Sequence, residues 1–439
     1  MALPRLVLML LLLATPLRAE VVQVPAGADN LAAAVRAAAA GDVLMLAAGV
    51  HGPAVIDKPL TLDGQSQAIV DGGGKDTVLL VTGDDVTLRG LTVRGSGNRN
   101  EAIDSGIKVV KGVQRTLIED NILTDNMHGI DFHGAIDAVA RRNVIEGRQD
   151  AHMLMRGNAF YVWNAPGVVI EDNQVRYGRD GIFSNASKDD IFRRNVFRDL
   201  RFAIHYMYTH NSTVEDNVSI GNHLGFAIMY SRRAQVTGNI SLHDRDHGVM
   251  LNSANEADVV GNLVVGAAKC TFLYDANKNL IAGNRFEGCD IGIHYTAGSA
   301  RNAFTDNAFL SNRNQVKYVG TRDLEWSLDG RGNFWSDLAA FDLNGDGFAD
   351  QAFRPNDMMD HILWSQPAAG LLIGAPAVQL IRWSQQSFPA TLPGGIVDSR
   401  PLMAPVEIAI SPEWAAAAAE VGDRWQKETD RDLDSEITH

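Results

Sequence analysis

The chain has 439 residues, a formal net charge of −14 and 46% hydrophobic residues. A protein this acidic repels nucleic acid and anionic membrane surfaces, and its ordinary apolar share excludes a disordered or fibrous chain. Its 41 glycines, against an aromatic share of 7%, suit many tight turns better than a helical bundle.

The N-terminus reads as a secretory signal over residues 1–19: Arg5 supplies the positive end, Leu6 to Ala14 an apolar run, and Leu17-Arg18-Ala19 a small residue for cleavage. The run is too short for a stop-transfer helix, and no later stretch has about 18 apolar residues in succession. A mature chain working outside the cytoplasm is expected. Next, Asn30 to Ala40 followed by Gly41 predicts a short helix with a glycine stop, placed to cover the open first coil of a repeat body. Residues 43–95 carry weak early coils, such as ValThrLeuArgGlyLeuThrVal at 86–93.

From there a repeat takes over. Asn recurs at 121, 143, 173, 195, 217, 239, 262, 284 and 307, at intervals of 22 or 23 apart from one of 30. Its surroundings repeat as well: IleGluAspAsn at 118–121 and 170–173, ValGluAspAsn at 214–217, ThrGlyAsn at 237–239. About eight residues later come GlyIleAspPhe from 129, GlyIlePheSer from 181, AlaIleHisTyr from 203 and GlyPheAlaIle from 225. Short β-rich runs divided by Asn and Gly turns at this period predict an all-β, right-handed parallel β-helix over 20–318. Coils then stack about 4.8 Å apart, and the repeated Asn forms an amide ladder at one corner. Leucine-rich repeats are excluded because their Leu consensus is missing.

Past 318 the period is lost, giving an irregular C-terminal region over 319–410 and a helix with a polar tail over 411–439. Within the former, Asp342, Asn344, Asp346 and Asp350 with Gly347 resemble an EF-hand-type loop, so a weak structural Ca²⁺ site is expected. The usual Glu at position 12 is replaced by Phe353. Cys270 and Cys289 lie 19 residues apart in a 22-residue repeat. They do not stack in register, which disfavours a disulfide even in an oxidising compartment.

Alternation sorts the strand that follows each second-motif Gly. Ile130, Ile182, Ile204, Phe226 and Val249 share parity with Phe132, Tyr206, Ile228 and Leu251, so they fill the interior. The intervening positions then face outward, and they hold Asp131, Tyr161, Phe183, His205, Ala227 and Met250 in one column, His133, Trp163, Met207 and Met229 in the next. Met207 and Met229 fall on adjacent coils, about 4.8 Å apart in backbone position. Their thioethers, with His205, His210 or Met250, form a donor set that selects Cu(I). A second set, His152, Met153 and Met155, lies in the insertion that stretches one interval to 30. For any one Met, packing is the blander explanation.

GlyArgAspGlyIlePhe (178–183), HisTyrMetTyrThr (205–209) and GlyPheAlaIleMetTyrSer (225–231) resemble the NosD family, the periplasmic maturation proteins of nitrous oxide reductase. ArgGlyAsnAlaPhe at 156–160 with Trp163, and GlyAsnPheTrpSer at 332–336 ahead of the Asp/Asn loop, are similar too. The resemblance implies a periplasmic, non-enzymatic solenoid that works with an ABC transporter permease and ATPase and a copper chaperone in assembling the reductase's copper centres. It supplies no ligand list. Two alternatives remain. A polyuronate lyase or epimerase would use Tyr161, Trp163 and Tyr274 to stack sugars, but the outward columns show no paired acids. A metal-free docking scaffold would use the same face for protein alone.

Overall fold

A computed structural model describes residues 19–149, 152–320, 322–366, 368, 375–387 and 394–421. Residues 1–18 of the expected secretory signal and 422–439 of the expected polar tail lie outside the described residues. The chain winds as a right-handed parallel β-solenoid of about 14 turns. One row of twelve parallel strands runs from Ala54–Ile56 to Asn314–Tyr318, and a second sheet of twenty-four strands wraps the other two sides.

The Asn period is the framework of one corner. Asn217 is buried, and its Oδ1 accepts both the backbone N–H and the Nδ2–H of Asn195, each at 3.0 Å. Its own Nδ2 donates to the Phe192 carbonyl at 2.8 Å and to Asn239 at 3.0 Å. Each Asn therefore satisfies a backbone amide of the coil before it at a buried position. The residue before each Asn explains the rest of the motif. Asp120, Asp172, Arg194, Asp216 and Gly238 all have φ between 52 and 64°, a left-handed turn that Asp and Gly tolerate best.

The ladder runs further than the period suggests. Asn307 donates to Asn333 at 2.8 Å, and the Asn333 N–H ends on the Asp398 carboxylate at 2.7 Å. The strand Phe334–Trp335 pairs with Ala308–Leu310. Here the interior closes with stacked rings, Phe304 on Trp326 at 3.9 Å and Phe309 on Trp335 at 4.3 Å. The opposite end is covered by the helix Asn30–Ala37, which buries Leu31 and Val35. That helix stops three residues short of the expected Ala40. The carboxylate of Asp42 accepts the Ala39 N–H at 2.8 Å, and Ala38 turns extended.

One further expectation changes. Cys270 and Cys289 form a disulfide with Cα atoms 5.8 Å apart. Cys289 lies before a corner and Cys270 just after the corner of the previous coil, so a three-residue offset is what brings them face to face inside the turn. The expected C-terminal helix runs over 412–421 and docks on the solenoid. Trp414, Ala417, Ala418 and Val421 pack on Val196, Val218, Ile220, Ile240, Leu242 and Val265, an apolar strip on the outside of the long sheet.

Candidate functional site

The twelve-stranded row carries the outward Met, His and aromatic side chains. Its inner positions Ile204, Tyr206, Phe226, Ile228, Val249 and Leu251 are buried in the core. Parallel pairing puts Met207 opposite Met229 and Met229 opposite Asn252, while His205, Ala227 and Met250 follow one another in the adjacent column. Ala227 thus sits between His205 and Met250 in its column, beside the Met207–Met229 column. It is fully covered although it faces outward, because the longer side chains around it close over a single methyl group. The three methionines are half-buried.

His205 is held in place from behind. Its Nδ1 lies 3.3 Å from an Asp180 carboxylate oxygen and 3.5 Å from Arg201 Nη2; with the proton on Nδ1 it donates to Asp180 and Nε2 is the acceptor. Asp180 is itself buried and also receives the Arg201 Nε–H at 2.7 Å. Bonds from His205 and Arg201 hold its carboxyl below the usual range, against the cost of burial. Phe183 and Phe202 flank the imidazole with centroids at 5.1 and 4.7 Å. The register therefore brings Met207 and Met229 onto adjacent coils, with His205 one coil before Ala227 and Met250 one coil after it. That soft donor set suits Cu(I) rather than a hard ion.

Not every expected ligand joins it. His210 lies beyond the corner made by Tyr208 (φ 53°), and its Nδ1 accepts the Arg232 N–H at 3.1 Å. Burial and the guanidinium groups of Arg232 and Arg233 push its pKa down. His152, Met153 and Met155 form a separate 3₁₀ turn, Met153–Met155, with Met155 exposed. That turn precedes the strand Phe160–Trp163, two coils away from Phe202–Met207 and at the other edge of the row. The two sets cannot share an ion.

Around Asp342–Asp350 the carboxylates serve the chain's own backbone. Asp342 accepts from the N–H groups of Gly345 and Gly347, at 2.7 and 2.9 Å, Asp346 from Phe348 and Asp350 from Leu343. Arg400 stands 3.5 Å from Asp346, and Phe353, at the position of the missing Glu, packs on Trp335. Among the described residues no three His, Cys, Asp or Glu side chains gather as a metal-ion set.

Further toward the N-terminal end the outward column turns charged. Asp131, expected to be open to solvent, is fully buried and paired with Lys108 at 2.9 Å. Burial raises its pKa to about 6. Beside it, a cavity of about 320 Å³ is lined by Asn100, Glu101, His128, Tyr161, Arg179 and Phe183, among others. Sequence reasoning missed it because Arg179 and Asn158 lie in turns, outside the sorted columns, and are brought together only by stacking.

Residues 141–340 match the family described as periplasmic copper-binding protein (NosD). The chain is 37% identical over 373 residues to a probable ABC transporter binding protein NosD of Pseudomonas aeruginosa, covering 82% of this chain and 87% of that one. A protein of the same description from Stutzerimonas stutzeri is 35% identical, covering 80% and 84%. Among solved structures it is similar to an alginate lyase in complex with G6, at a TM-score of 0.54 and 13% identity, covering 73% of this chain and 87% of that one. A second alginate lyase, bound to a trisaccharide, gives 0.52 at the same identity and coverage. At such identity the two lyases share the fold alone.

Proposed function

The chain belongs to the NosD family, and on that footing we propose that it is a periplasmic accessory protein that binds Cu(I) as cargo on the outer face of the twelve-stranded row. The observation that supports this reading is the register that sets Met207 beside Met229 and Ala227 between His205 and Met250 on successive coils. A d¹⁰ ion of low charge is well served by thioether sulfur and neutral imidazole. Asp180, hydrogen-bonded behind His205, fixes which imidazole nitrogen faces the ion.

The half-buried methionines suit handover rather than storage. Their flexible chains can release one sulfur at a time to an incoming ligand, so an ion can pass to a partner without entering water. The curated relatives are named as ABC transporter binding proteins, which supports a permease and ATPase as partners. A copper chaperone as donor and nitrous oxide reductase as recipient complete the proposed route. No catalytic role is assigned to the chain. Titration of the apo protein with Cu(I) against a competing chelator tests the reading. We expect one ion per chain, and at least a tenfold loss of affinity when Met207→Leu and Met229→Leu are combined. Unchanged affinity in that variant would overturn the ligand assignment.

A further inference from the structure

Three of the four basic side chains near the cavity at Arg179 are matched by acids. Lys108 pairs with Asp131 at 2.9 Å, Arg99 with Asp104 at 3.1 Å, and Arg201 with Asp180 at 2.7 Å. Arg179 has no such partner among the described residues, and its Nε is buried without a hydrogen bond. Burial and the nearby Arg201 disfavour its charge, and the weaker attraction of Asp180 and Tyr161 does not make up for them. An unpaired guanidinium in a recess costs the fold stability, more so the less water reaches it, and an incoming anion reverses that cost. The overall charge of −14 makes such a spot more telling, since bulk electrostatics work against anions here.

The rest of the lining narrows the class. His128 accepts the Asn158 N–H on Nδ1 at 3.1 Å. Its Nε2 lies 3.2 Å from Asn100 Oδ1, and burial lowers its pKa to about 4. It is thus a neutral strut and carries no charge to the ligand. Asn158 is almost wholly buried, and its Oδ1 has no donor. Tyr161 stands edge-on to His128 and tilts against Phe183, giving the cavity an aromatic wall. One planar cation, one unused acceptor and a ring wall are complementary to a small molecule bearing both a carboxylate and hydroxyl groups.

We propose that this cavity binds a small hydroxylated carboxylate, its carboxylate forked on Arg179 and a hydroxyl donating to Asn158. Glu101 at the rim opposes the anion and tunes its affinity. The cavity shares the Phe183 wall with His205 but none of the proposed copper ligands, so the glucuronate and Cu(I) titrations report the two assignments separately.

The test is calorimetric titration of the mature chain with sodium glucuronate, glucose and acetate at fixed ionic strength, with Cu(I) affinity measured in parallel. Glucuronate is expected to bind at least tenfold more tightly than either single-function probe. Arg179→Gln should abolish that preference, Tyr161→Phe should retain it, and Glu101→Gln should strengthen it several-fold. Thermal unfolding of Arg179→Gln should be no lower than that of the parent, because the variant removes an unpaired charge. Equal binding of glucuronate and glucose, or glucuronate binding unaffected by Arg179→Gln, would overturn the proposal. Neither result would touch Cu(I) binding.

Discussion

Replacing Asp190 by Asn isolates one buried carboxyl in the wall of the solenoid. Asp190 is 1% exposed, and its Oδ1 accepts the Val168 N–H at 3.1 Å, while its Oδ2 has no partner. Burial raises its pKa from 3.8 to about 8. A carboxyl whose folded pKa is raised contributes its full stability below pH 3.8, and that contribution is lost as pH rises toward about 8. Each pH unit in that window is worth about 1.4 kcal/mol. The folded parent should therefore weaken by roughly 3–4 kcal/mol between pH 4.5 and 7.5 from this one group. Asn does not titrate, and the same corner already hosts one. Asn279 accepts the Ala257 N–H and donates to the Ala254 carbonyl, so the amide introduced by Asp190→Asn would donate to the carbonyl of Ala165. Asp244, also raised, to about 6, is present in both proteins and cancels in the difference. Urea unfolding at pH 4.5 and 7.5 should show the variant gaining little at the lower pH and several kcal/mol at the higher. An equal difference at both values would mean that Asp190 does not hold its proton in the folded chain.

Two further outcomes rest on the same framework. Asn217→Ala removes the acceptor of two Asn195 donors and the side-chain donor to the Phe192 carbonyl. It should cost roughly 3 kcal/mol or more by denaturant unfolding; a cost below about 1 kcal/mol would show that the ladder is dispensable. Cys289→Ser opens the loop closed by the Cys270 disulfide and should cost about 3 kcal/mol under oxidising conditions, with no difference between the two proteins once both are reduced.

The corner Asn and the inner Ile and Val columns were legible because a stacked coil imposes the same environment once per repeat. Ile130, Ile204 and Val249 reach the core, as alternation requires. What the period could not reveal are features made between coils or from chain outside it. Outward direction did not mean solvent exposure: Asp131 and Ala227 are buried by their neighbours on the same face. The disulfide depends on corner geometry rather than register. The apolar Val218, Ile240 and Leu242 on the outer sheet find their reason in the helix over 412–421, nearly two hundred residues further along the chain. The cavity at Arg179 needs turn residues from coils far apart in sequence. In the candidate copper patch, alternation gave the columns of Met207, Met229 and His205. The burial of Ala227 and the place of Asp180 behind His205 arise only when neighbouring coils stack.

X-ray absorption of the Cu(I)-loaded protein reads the proposed ligand shell itself. Sulfur scatterers together with one nitrogen are expected, with a loss of sulfur in Met229→Leu and a loss of nitrogen in His205→Phe. A copper shell of oxygen and nitrogen alone, or a spectrum unchanged by Met229→Leu, would contradict copper binding by the thioether patch.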